Sequence, residues 1–184
     1  MTEIGGDDSV HKSDLVPLPQ SPISADQLLL GVLDLIRDSR SIDAFTHNEV
    51  ARVTGLPIER FEGGEWGYDA QLTPEWRFGF VFDPSAIGGP LFDLGFLNPE
   101  GVPEGDMTGI CGIDYDEFAS GLTDAGFTHQ TLLGEHGRRL TEEFRRGAGL
   151  HVTIATQGEA SAPLEKQSHQ CITLIQVRAD AHGS

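Results

Sequence analysis

Lysine is nearly missing from this 184-residue chain: only Lys12 and Lys166 occur. No phosphate loop with its Gly-Lys-Ser/Thr is present, no G-x-G-x-x-G turn follows a strand pattern, and no G-x-S-x-G elbow occurs. Those absences remove the common nucleotide-binding and α/β-hydrolase signatures. Cysteine is scarce as well, with Cys111 and Cys171 alone. Two are too few for a disulfide framework, so they read as buried thiols, with a single bridge as the alternative. No apolar run approaches the roughly eighteen residues of a membrane-spanning helix. The start, MTEIGGDDSVHKSDLVPLPQSP, lacks the basic-then-apolar order of a signal peptide. The expectation is a cytoplasmic protein with no membrane attachment.

Positive charge is also short. Twelve Lys and Arg face 29 Asp and Glu, for a net charge of −17. Nucleic-acid affinity comes largely from cations displacing counterions, so this field repels a phosphate backbone. Acidity of this kind commonly serves solubility, and otherwise draws basic partners. It is concentrated: residues 59–117 carry 13 acids against Arg60 and Arg77, a net of −11.

What is present is a clear set of helix and strand signals. Residues 1–22 are polar and proline-bearing and read as a mobile tail. Ser24 and Gln27 have capping-box spacing, and Leu28, Leu29, Val32, Leu33, Leu35 and Ile36 recur at helical period, predicting a helix over 24–39. The stretch FTHNEVARVTGLPIERF repeats the device with Thr46 and Glu49, and Gly55 then Pro57 end a helix over 46–54. Its Val50, Ala51 and Val53 are expected to pack on a sheet. Three strands follow at 65–72, 76–82 and 91–97, with aromatics on one face. Residues 98–112 read as an acidic loop. Asp114 and Glu117 cap a third helix that Gly126 ends, and strands are expected at 128–133, 138–145, 150–156 and 170–178. CITLIQVR, apolar on both faces, reads as a central strand. Helices followed by runs of strands predict an α+β fold: an antiparallel meander sheet packed by two or three helices. The domain spans 23–178, with related halves 23–97 and 113–178, and 179–184 is a C-terminal tail.

Several chemical readings are weighed and set aside. FTHNEVARVTGLPIERF resembles the start of a helix-turn-helix. Pro57, Gly63, Gly64 and Gly67 forbid the recognition helix, and Arg60 is its only cation among acids. His129, His136, His151 and His169 lie in the second half, yet none has ligand spacing, so no metal or cofactor is expected. Asp114, Asp116 and Glu117 fit a helix N-terminus better than a catalytic cluster. Arg138, Arg139, Arg145 and Arg146 read as a solvated strand whose charge blunts edge pairing. No enzyme activity is expected.

The combination of strong acidity, no signal-like start, no catalytic motif and a helix-then-meander pattern over 23–178 resembles small bacterial immunity proteins of toxin–immunity pairs. It is also similar to helix-plus-sheet modules of lipoprotein-type inhibitors, from which it departs by lacking a lipobox. The resemblance implies an acidic inhibitory protein that occludes a basic partner. From the residues themselves, the candidate partner-binding set is Trp66, Tyr68, Asp69, Glu75, Asp83, Asp93, Glu100, Glu104 and Asp106. The two aromatics would be anchors, and the carboxylates would face a cationic cleft. The alternative is a small-ligand domain with an apolar pocket between sheet and helices, lined by Trp66, Trp76 and Phe80.

Overall fold

Ser24 opens the first helix in the computed structural model, which describes residues 17–98, 107–135, 139–147, 149–158 and 169–180. Its hydroxyl accepts from the Gln27 amide, and the Gln27 side chain accepts from the Ser24 amide, so the capping box is complete. Helix α1 runs Ala25–Asp38. Helix α2, His47–Thr54, is capped by Thr46 and ended by Gly55 at φ 69°. Here the box is half made. Glu49 turns to Arg52, whose hydrogen bonds hold the carboxyl below its ordinary range. Helix α3, Tyr115–Asp124, is capped by Asp114, with Gly126 at φ 87° beyond its end.

Among the described residues, eight strands form one antiparallel sheet. They are β1 (Glu59–Arg60), β2 (Trp66–Gln71), β3 (Arg77–Asp83), β4 (Leu91–Leu97), β5 (Thr128–Leu133), β6 (Arg139–Arg146), β7 (Leu150–Gly158) and β8 (Gln170–Ala179). Their order in space is β1-β2-β3-β4-β8-β7-β6-β5. Two meanders are thus joined where the last strand, β8, pairs with β4. CITLIQVR is central, as its two apolar faces require.

The register sorts side chains into rows. One row reads Trp66, Phe82, Phe92, Val177, Val152, Phe144, His129, and the next reads Tyr68, Phe80, Leu94, Ile175, Ile154, Glu142, Thr131. This face is apolar until it reaches β6 and β5, where it turns polar. The helices cover it: Phe45 packs on Phe92 and Tyr115 on Phe144, with ring centroids 5.4 and 6.4 Å apart.

Helix α1 is the spine of the helical layer. A Cβ on Gly31 would stand 2.7 Å from the Val53 carbonyl oxygen, and one on Gly121 would stand 2.8 Å from Leu33 Cδ2. Glycine lets α2 and α3 approach α1 this closely. The α2 backbone at Val53 therefore lies against α1.

Four expectations are corrected or sharpened. Cys111 and Cys171 form a disulfide, not two free thiols. Within the expected loop, Met107 and Ile110 are buried, and the following Asp26–Ile113 hydrogen bond of 3.2 Å ties the segment to α1. The expected N-terminal tail is fixed at its end: Gln71 donates to the Pro19 carbonyl at 2.9 Å, and Ser21 donates to the Gln71 carbonyl at 2.8 Å. At the other terminus, Asp180 accepts from Arg145 at 2.9 Å. The remainder of both tails lies outside the described residues.

Candidate functional site

The helices cover one face of the sheet, and the other carries the candidate site. Its rows alternate with those of the core. One reads Asp69, Gly79, Gly95, Leu174, Ala155, and the next reads Gly67, Val81, Asp93, Gln176, Thr153, Glu143, Gln130. Two glycines stand side by side in the first row, next to Asp69.

They differ from Gly67. A Cβ on Gly67 would stand 2.2 Å from the Phe80 carbonyl oxygen, so packing of β2 on β3 demands glycine. A Cβ on Gly79 would meet nothing nearer than Asp69 Cβ at 3.4 Å, and one on Gly95 nothing nearer than Leu174 Cδ1 at 4.0 Å. Both lie within strands without positive φ. Interior strand glycines cost stability and often mark close approach by a ligand or another backbone. Among the described residues, nothing in the packing requires glycine at these two positions.

A groove of about 250 Å³ opens here, lined by Phe61, Asp69, Gly79, Val81 and Asp93 with edges of Tyr68 and Phe80. Phe61 forms its lip and is 45% exposed. Gln176 donates to Asp93 Oδ2 at 2.6 Å, which fixes that carboxylate. Burial, followed by the charges of Asp69 and Glu59, pushes the Tyr68 phenol above its ordinary value. The groove is a notch with an apolar floor, an aromatic lip and two flanking carboxylates. A cation with a flat or aliphatic body matches it.

The candidate residues divide under this geometry. Asp69 and Asp93 come together at the groove. Asp83 instead accepts from the Ser85 amide and hydroxyl at 2.8 and 2.9 Å and shapes the turn after β3. Glu75 is exposed in the turn between β2 and β3. Glu100, Glu104 and Asp106 lie outside the described residues. Trp66 and Tyr68, read as exposed anchors, are core residues only 5% and 9% exposed. Trp66 stacks on Phe82 at 5.0 Å. Strand parity is the reason: both share the inward face with Ala70. Phe61, Gly79, Gly95 and Gln176 were not among the candidates. A glycine inside each aromatic strand, WRFGFVF and LFDLGFL, was the available signal.

The aromatic residues expected to line an apolar pocket between sheet and helices belong to the buried core. Trp76 and Phe80 are each 4% exposed. Trp66 borders an open groove of about 460 Å³ beside the α2 N-terminus, with His47, Arg60 and Phe82. Phe80 touches the groove on the opposite face.

The second half holds two polar clusters, one on each face. On the open face, Arg145 reaches Glu143 at 3.1 Å and Asp180 at 2.9 Å, and His151 lies 3.5 Å from Glu143. Burial first and Arg145 second hold the His151 imidazole below its ordinary value. On the helix side, Glu142 is 2% exposed and takes His129 Nε2 and Thr131 Oγ1, each at 2.6 Å. His129 and His151 therefore face opposite ways. Among the described residues, no three His, Cys, Asp or Glu side chains stand together as metal ligands. The arginine reading also changes. β6 is an interior strand, Arg145 is ion-paired, and Arg146 caps the end of α1 through the carbonyls of Arg37 and Ser39 while lying over the Phe127 ring. Arg138, and the side chain of Arg139, lie outside the described residues.

No family model matches this chain, and no curated protein or solved structure matches it. No helix among the described residues is long and apolar enough to cross a membrane.

Proposed function

We propose that this chain is a binding protein that captures a cationic side chain of a basic protein in the Asp69–Asp93 groove, as an immunity protein would occlude a toxin domain. The observation that carries the reading is the open space over Gly79 in a groove lined by two carboxylates, Asp69 and Asp93. The net charge of −17 supports it by steering a basic partner toward the acidic half. Among the described residues, the open face of the second half instead pairs its charges, Arg145 with Glu143 and Asp180. The immunity role itself rests on the resemblance in charge and architecture. The Cys111–Cys171 bridge supports action in an oxidising compartment over the cytoplasmic setting read from the sequence.

The test uses a hexa-arginine peptide as probe and the 15N-labelled chain as reporter. Amide signals of Phe61, Asp69, Gly79, Val81 and Asp93 should shift first, and Asp69→Asn with Asp93→Asn should remove those shifts. If the peptide instead moves signals at acids scattered elsewhere, such as Glu49 and Glu117, the groove is not the binding site.

A further inference from the structure

The two ends of the sheet are built differently. At one end β1 is two charged residues, Glu59 and Arg60, a short edge that resists pairing. At the other end β5 presents six residues, THQTLL, with no Asp, Glu, Lys or Arg. Leu132 and Leu133 on it are 36% and 62% exposed. Among the described residues no strand lies beyond it.

This edge is held ready. Glu142 grips His129 and Thr131 from the helix side, and the His129 ring stacks on Phe144 with centroids 4.6 Å apart. A pre-positioned strand loses less freedom on pairing than a mobile one. The edge also sits in a part of the chain without excess acid. Residues 127–158 carry four arginines (138, 139, 145, 146) against three glutamates (135, 142, 143), a net of +1 in a chain of −17.

We propose that β5 is a self-association edge, on which β5 of a second copy pairs antiparallel. Antiparallel pairing of identical strands has two-fold symmetry, so the contact closes as a dimer and does not propagate. It joins two sheets into one continuous sheet and covers the exposed leucines. Charge favours a second copy over a strand from a basic partner, because that partner is drawn to the acidic half. Edge-to-edge pairing also leaves each acidic half at an outer end of the assembly. β3 is five strand spacings from β5, about 24 Å at the usual inter-strand distance. Both Asp69–Asp93 grooves therefore stay open, and the dimer is bivalent.

Sedimentation velocity of the full chain across the micromolar range tests this, paired with hydrogen exchange. Wild type should pass from monomer to dimer, and amides of residues 128–133 should gain protection as it does. Leu132→Glu with Leu133→Glu, both at exposed positions, should weaken dimerisation about tenfold or more while the circular dichroism stays native. Asp69→Asn with Asp93→Asn should leave the dimer intact, which separates this edge from the groove. A wild type that remains monomeric throughout, a dimer without new protection at 128–133, or a double variant that dimerises as well as wild type would each overturn the proposal.

Discussion

At the scale of single residues, the second half shows how a charged group changes meaning once its neighbours are known. Arg146 looked like one of several solvated arginines. It points instead to the carbonyls left open where α1 ends, where a cation complements the helix dipole. His151 has a measurable consequence. Its folded-state value lies below 6.5, so the folded chain resists a proton that the unfolded chain accepts. Its contribution to stability is therefore complete above 6.5 and is lost as pH falls through the lowered folded value. His151→Gln should flatten the stability-versus-pH curve between that lowered value and 6.5, measured by urea unfolding. An unchanged acid limb would show that His151 is not the group responsible.

At the scale of elements, the helical layer is fitted together by glycine. Gly31→Ala places a Cβ against backbone oxygen of α2, which cannot move without the helix, so a loss of about 1–3 kcal/mol is expected despite better helix propensity. Gly121→Ala meets only the end of the Leu33 side chain, so its cost should be smaller or nil. Chemical denaturation of the two variants checks the order, and equal costs would contradict the close α1–α2 contact. The disulfide works on the element that enters α3. It closes a separation of 60 residues, which loop-closure entropy values at about 4 kcal/mol. Cys111→Ala with Cys171→Ala should lose about that much, and hydrogen exchange should rise first at 107–113. A loss confined to other segments would place the bridge's effect elsewhere.

Much of this layer was legible in the sequence, because caps and strands are local. Ser24, Thr46 and Asp114 cap where their spacing says, and Gly55 and Gly126 take the left-handed conformation that ends a helix. Alternation found β2, β3, β4 and β7, and β8 showed as a run apolar on both faces. Pairing between distant segments was not legible. Neither the β4–β8 junction nor the Cys111–Cys171 contact has a local signal. Which face of β2 turns inward depends on where α1 comes to lie, and that choice moved Trp66 and Tyr68 into the core. Asp69, one residue away in parity, stayed on the open face for the same reason.

At the scale of the whole molecule, charge and architecture divide the sheet between two tasks. The β2–β4 half brings the carboxylates of Asp69 and Asp93 to an open groove. The β5–β7 half neutralises itself with internal ion pairs and ends in a pairing-competent edge. The central claim is that the space above Gly79 is kept empty for a cation, and Gly79→Val tests it most directly. Valine suits a strand better than glycine, and the position has room for its Cβ, so the melting temperature should hold or rise by about 1–4 °C. The same side chain fills the floor between Asp69 and Asp93, so affinity for the hexa-arginine peptide should fall about tenfold or more at unchanged net charge. A stable Gly79→Val chain that binds the peptide as wild type does would contradict the account.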